Sequence, residues 1–259
     1  MRRHFLFPCG SAQLVGTLDS APGKVGLLIV TGGNETRSGA WAGQAQFAAQ
    51  IAAAGYPVLR FDRRGCGDSE GVNEEFRSAA PDLAAAIEAF RAEAPHIARI
   101  VALGNCDAAS ALMLSGGAGC DGLVLSNPWT FEGDAAEEAP PEAVRSHYRN
   151  RLKDLGAIKR LLSGKVAIGP LVKSLLSATK PAPALSTLAQ DMTAGIAGFA
   201  GPVRFLIAER DRTGLAFLSA WDKADDRIRR CPNATHSFVE ADARTWLLDQ
   251  TLAVLGQAT

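Results

Sequence analysis

The segment Val101-Ala-Leu-Gly104-Asn105-Cys106-Asp107-Ala108-Ala109-Ser110 sets one cysteine between a run of apolar strand formers and a run of small helix formers. This is the pattern of a nucleophile elbow, a sharp strand-to-helix turn, with Cys106 where serine usually stands. A side chain on such a turn is exposed, and the N–H groups and dipole of the helix behind it favour negative charge nearby. Cys106 is therefore read as a nucleophile; the plainer alternative is a buried structural cysteine, since free thiols are among the most buried side chains.

A nucleophile of this kind needs a histidine to take and return a proton and an acid to orient that histidine, usually in the chain order nucleophile, acid, histidine. Asp211 follows the apolar run Val203–Ala208, where the carboxyl ends of parallel strands gather functional loops. Its competing roles are a turn or helix cap, and Glu209 is a rival acid. His236, in Cys231-Pro-Asn-Ala-Thr-His236-Ser-Phe, sits between the last strand and the last helix. The chain has four histidines, and His4, His96 and His147 fall on the first strand, at the opposite sheet edge and in a basic insertion. Acyl transfer also needs two N–H donors for an oxyanion. Asp107 supplies the first, and Thr31-Gly32-Gly33-Asn34-Glu35, whose glycines allow close backbone approach, supplies the second.

The segment Arg60-Phe-Asp62-Arg63-Arg64-Gly65-Cys66-Gly67-Asp68-Ser69-Glu-Gly71 reads as a structural turn beside that loop. Cys66 lies between glycines but lacks a following small-residue helix start. No G-x-x-x-x-G-K-[ST] or G-x-G-x-x-G pattern occurs at the strand-to-helix turns, so no phosphate-binding loop and no cofactor are expected.

These residues must be positioned by a repeating strand-and-helix frame. Apolar runs at Val25–Val30, Pro57–Phe61, Ile97–Leu103, Gly122–Ser126, Val203–Ala208 and, more weakly, Arg227–Cys231 alternate with helical patterns at Ala40–Ala54, Asp82–Ala94, after Cys106, and around Trp246 to Leu252. That order predicts an α/β fold with a mostly parallel sheet flanked by helices. His4–Phe7 and Leu14–Leu18 have no helix between them and are expected to pair as an antiparallel hairpin. The core is thus expected at residues 1–126 and 202–259, and residues 127–201, too long for a simple connection, form an inserted helical cap.

Within that insertion, Phe131 to Pro141 is acidic, whereas Arg145 to Lys180 carries nine basic residues against Asp154 alone, a formal +8 hidden by a whole-chain charge of zero. Ile168, Leu171, Val172, Leu175 and Leu176 follow helical spacing with Lys173 off the stripe. Such a helix either packs on the core with solvated lysines outside, or roofs an apolar channel under a surface that attracts an acidic carrier protein or anionic lipid heads.

Composition bounds the rest. At 259 residues and 47% apolar content the chain is one large domain with an insertion, and no apolar run approaches the roughly 18 residues of a membrane span. The N-terminal apolar stretch is too short for a signal-peptide core, so a cytoplasmic location is expected. Five cysteines at irregular spacing, without C-x-x-C or a Cys/His cluster, argue against disulfides and metal sites. No nucleic-acid partner is expected.

Together these residues resemble the α/β-hydrolase superfamily over nearly the whole chain, with Phe61-Asp-Arg-Arg-Gly-Cys-Gly-Asp-Ser69 as a second landmark. More narrowly, Gly104-Asn-Cys-Asp-Ala-Ala-Ser110, Asn127-Pro-Trp129, His147-Tyr148 with Arg151-Leu152, and the Arg60–Ser69 segment resemble the exosortase A system-associated hydrolase 1 family. The resemblance implies a Cys106, Asp211 and His236 triad in a bacterial exopolysaccharide and protein-sorting context. That family's oxyanion loop begins Gly-Gly-Pro-Gln, whereas this chain has Gly32-Gly33-Asn34-Glu35. Proline has no N–H, so the second donor here is Gly33, Asn34 or Glu35. The expected activity is hydrolysis of a small ester or thioester through an acyl-enzyme. The alternatives are acyl transfer to a glycan or other acceptor, and a non-catalytic binding protein that retains the fold.

Overall fold

The structure, a computed structural model, describes residues 1–132 and 186–258. Eight strands form one sheet: β1 (Arg2–Cys9), β2 (Ala12–Asp19), β3 (Val25–Val30), β4 (Val58–Phe61), β5 (Arg99–Asn105), β6 (Gly122–Ser126), β7 (Val203–Ala208) and β8 (Ile228–Cys231). Their spatial order is β1-β2-β4-β3-β5-β6-β7-β8. β1 and β2 form the expected antiparallel hairpin, β2 also runs antiparallel to β4, and every later pair is parallel.

Strand alternation sorts the core into two layers. Leu28, Val30, Ile100, Ala102, Leu123, Leu125, Phe205 and Ile207 face one side. Val25, Leu27, Ile29, Val101, Leu103, Val124, Leu206 and Ala208 face the other. Strands buried on both faces read as continuous apolar runs, as these do, and each Leu or Ile so covered contributes about 1.5–3 kcal/mol. The helices α1 (Gly43–Ala53) and α6 (Ala241–Gln257) cover the second layer, through Ile51, Val254 and Leu255 among others. The helices α2 (Ala80–Glu93), α3 (Asp107–Leu114), α4 (Thr187–Ile196) and α5 (Arg212–Ala220) cover the first.

Two elements differ from expectation. The alanine-rich pattern predicted a helix from Ala40, but Trp41 and Ala42 have φ of 57° and 55°, and α1 begins at Gly43. The Glu35 carboxylate accepts from the Ala40 N–H (2.9 Å) and the Gln44 amide (2.7 Å), bending the chain towards the loop after β3 before the helix can start. α5 was not expected, because its nine residues carry no long apolar period of their own; Asp211 nucleates it as N-cap.

Residues 133–185, and with them the basic segment 145–180, His147 and most of the expected cap, lie outside the described residues. The two flanks of that stretch meet. Glu132 accepts from the Leu188 N–H at 3.1 Å and from Arg77 at 2.7 Å, and the Ser186 hydroxyl donates to the Thr130 carbonyl at 3.2 Å. No described helix is long and apolar enough to cross a membrane.

Candidate active site

β3 is followed in sequence by β4 on one side, whereas β5 lies on its other side, so the carboxyl ends of β3 and β5 form a topological switch point. The loop after β3 and the turn after β5 meet there. Cys106 occupies that second turn with φ 61° and ψ −126°, a strained conformation for a residue with a β-carbon. The turn is held by the Cys106 N–H on the Ser126 carbonyl (3.0 Å) and the Trp129 N–H on the Cys106 carbonyl (3.2 Å). Gly104 is required beneath it: a β-carbon there would lie 2.7–2.8 Å from the backbone of Ala108 and Ala109. Cys106 is partly exposed, whereas Cys9, Cys66, Cys120 and Cys231 are buried. Burial pushes the thiols of Cys9, Cys66 and Cys231 up, and that of Cys120 up to about 12.

Asp211, buried at the end of β7, does two jobs with one oxygen. Its Oδ2 accepts from the Gly214 N–H at 2.9 Å, capping α5, and lies 3.0 Å from Nδ1 of His236. The two sequence readings of Asp211, cap and acid partner, describe the same contact set. His236 is raised from 6.5 to about 10, first by the Asp211 hydrogen bond and next by one to Cys106, against burial, which opposes the charge. Nδ1 being on Asp211, the ring turns Nε2 to Cys106. Glu209, the rival acid, pairs instead with Arg230 at 2.8 Å. His4 bonds Thr17 (2.8 Å) and His96 the Ala21 carbonyl (2.9 Å), both away from the elbow.

The loop after β3 is locked to the elbow through side chains. The Asp107 Oδ1 accepts the Gly33 N–H at 2.7 Å, and Gly32 must lack a β-carbon, which would lie 2.5 Å from that oxygen. Gly33, expected as an oxyanion donor, thus has its N–H engaged by the neighbouring carboxylate. The Asn34 N–H makes no hydrogen bond among the described residues. That of Glu35 closes a turn on the Gly32 carbonyl at 3.0 Å. The Asp107 N–H, first in α3, is free as the opening N–H groups of a helix are. Arg37 ties the far end of the loop to the fully buried Asp62. Beside the His236 loop a groove of about 640 Å³ is lined by Trp41, Phe47, Val239, Arg244 and Leu247 among others.

A sequence model of the alpha/beta hydrolase family matches residues 27–249, spanning the sheet from β3 and all three site residues. The chain belongs to the alpha/beta hydrolase family. Its fold is similar to that of the alpha/beta hydrolase GrgF from Penicillium sp. sh18, with TM-score 0.68 and 17% identity over 100% of this chain and 99% of that one. An esterase of Pyrococcus furiosus gives TM-score 0.64 and 14% identity, covering 99% of this chain and 90% of that one. The thioesterase domain from the curacin biosynthetic pathway gives 0.57 and 14%, covering 98% and 99%. At these identities the likeness is one of fold. No curated protein matches the chain at the sequence level.

Sequence reasoning missed three residues of this alpha/beta hydrolase. Asn127, fully buried with φ 42°, donates to the His236 carbonyl (3.1 Å) and to Asn105 Oδ1 (3.3 Å) and accepts from the Ala208 N–H (2.9 Å). It joins the elbow, the end of β7 and the histidine loop through one amide. Asp107 was read only for its N–H, yet its carboxylate fastens the loop after β3. Arg63, read as part of a structural turn, donates to the Gly33 carbonyl at 2.7 Å. All three lie in motifs that carry the family resemblance, but a motif does not say what each side chain holds. Among the described residues no group of His, Cys, Asp and Glu is arranged to hold a metal ion.

Proposed function

We propose that this alpha/beta hydrolase is a cysteine-dependent esterase or thioesterase working through an acyl-enzyme. The observation that carries the reading is His236 bridging Asp211 and Cys106 at a strained elbow. With the proton they share already resting on His236, Cys106 sulfur attacks the substrate carbonyl carbon and the carbonyl π pair moves onto oxygen. The Asp107 and Asn34 N–H groups receive that oxyanion. Collapse of the adduct breaks the bond to the alcohol or thiol, which leaves with the proton from His236. Water then gives a proton to His236 and attacks the thioester, the sulfur departs beside that imidazolium, and the acid is released. Asp211 holds the imidazole orientation and balances its charge throughout.

The groove beside the His236 loop is apolar at Phe47 and Leu247 and is lined by Asn105 and Ser237, the chain neighbours of Cys106 and His236, which supports a small acyl substrate. The motif resemblance of the elbow and of the Arg60–Ser69 and Asn127–Trp129 segments supports an exopolysaccharide-linked setting. The same thioester could serve an acceptor hydroxyl in place of water; turnover that rises with added sugar acceptors would reassign the second step to acyl transfer.

The test is intact mass after brief exposure to short- and medium-chain nitrophenyl esters and acyl thioesters. Wild type should carry a single acyl adduct or turn substrate over, and Cys106→Ala and His236→Ala should do neither. Turnover retained in Cys106→Ala would overturn the reading.

A further inference from the structure

We propose that Arg63 is a positioning residue for the reaction: by holding the Gly33 carbonyl it aims the Asn34 N–H as the second oxyanion donor. The inference rests on the acyl chemistry proposed above and assigns a role to a residue outside the triad.

The argument begins with a buried cation. Arg63 is 2% exposed, and Asp107 Oδ2, at 3.4 Å from Nη2, is its carboxylate partner. Among the described residues its Nε has no hydrogen-bond partner. A buried guanidinium with an unsatisfied donor is a poor way to fill space, since an apolar side chain of similar volume would pack there without desolvating charge. What Arg63 does provide is geometry. Its Nη2 donates to the Gly33 carbonyl at 2.7 Å and reaches Asp107 from the same atom. That nitrogen carries two N–H in the fixed guanidinium plane, one for each acceptor, whereas an ammonium rotates its donors freely.

The Gly33–Asn34 peptide is planar and trans, so its C=O and N–H point in opposite directions. Once Arg63 has fixed the Gly33 carbonyl, the Asn34 N–H must face away from Arg63, and it finds no acceptor among the described residues. The preceding N–H, that of Gly33, is removed from contention by Asp107 Oδ1 at 2.7 Å. Gly33 has φ +54°, which permits this arrangement. The loop is therefore gripped on both sides of Gly33: by Asp107, the residue after the nucleophile, and by Arg63, from the turn after β4. The elbow and the donor loop consequently move as one piece, the condition for an oxyanion site that does not reorganise during reaction.

Two reactions of Cys106 separate this role from general support of the fold. Ester turnover, and inhibition by a trifluoromethyl ketone, both create a tetrahedral oxyanion. Alkylation by iodoacetamide is displacement at a saturated carbon and creates none. In Arg63→Lys, which keeps a charge opposite Asp107, kcat should fall about 10- to 100-fold with KM changed less than twofold, and ketone inhibition should weaken by a similar factor. The rate of Cys106 alkylation and its pH profile should stay at the wild-type level. Arg63→Met should behave alike or more strongly, its folding checked by thermal melting. If kcat is unchanged in Arg63→Lys, or if turnover and alkylation fall together in it, Arg63 does not position the donor. Wild-type turnover that survives Cys106→Ala would instead remove the acyl-enzyme reading itself, and the role of Arg63 with it.

Discussion

At the residue scale, the proposed chemistry rests on one proton shared within the set Cys106, His236 and Asp211. His236 gains partners on folding, so its folded pKa of about 10 lies above the ordinary 6.5. A raised pKa means that the folded state holds the proton more tightly. The stabilisation is therefore complete below about pH 6.5 and is lost as pH rises through 10. His236→Gln should flatten the decline of melting temperature between pH 6.5 and 10, read as the difference between variant and wild type at each pH. Equal slopes for the two proteins would show that the histidine is not held as a cation. With its side chain 40% exposed, the imidazole remains accessible to substrate, which a fully buried ion pair would not be.

At the element scale, three strand ends have to be brought into register, and a single asparagine does much of it. Asn127 reads the backbone of β7 through Ala208, the elbow through Asn105, and the histidine loop through the His236 carbonyl. Gly214 approaches so closely that a β-carbon there would lie 2.6 Å from the Asn127 oxygen, so α5 is seated against the same amide. Asn127→Ala would leave the buried Ala208 N–H unsatisfied, a loss of about 1–3 kcal/mol for that group. We expect a lower urea midpoint together with a reduced kcat, because the histidine loop loses its tether. A variant with wild-type midpoint and kcat would show that β7 alone holds the loop. The elbow itself was legible, since Gly104, Cys106 and Ala108 follow from the local geometry of a tight turn. The start of α1 was not, because alanine propensity favours helix from Ala40 and only the Glu35 contacts, reaching five and nine residues along the chain, override it.

At the scale of the whole molecule, the sheet order creates a crevice between β3 and β5, and the chain places the Cys106 turn and the loop after β3 on the two sides of it. The described residues on either side of 133–185 lie together, joined by Glu132 with Leu188 and Ser186 with Thr130. For residues 145–180, with their formal +8, we predict association with an acidic acyl carrier protein or anionic vesicles at low salt. Exposed charges are screened beyond about 10 Å at 0.1 M salt, so sedimentation or titration should show this binding fading as ionic strength rises. Failure of both probes at low salt would remove the proposal.

The sequence by itself determined the strand alternation, the two-layered core, the N-terminal hairpin, the elbow and the chain order of Cys106, Asp211 and His236. All are local properties: a period of two residues, a turn with small neighbours, a polar residue just past an apolar strand. Only the tertiary structure decided that Asp211 reaches His236, that Asn127 holds the His236 carbonyl across 109 residues, and that Arg63 and Asp107 grip Gly33 across 30 and 74 residues. A side-chain hydrogen bond is formed or lost within a few tenths of an ångström, and no residue spacing along a chain encodes a separation in space to that precision.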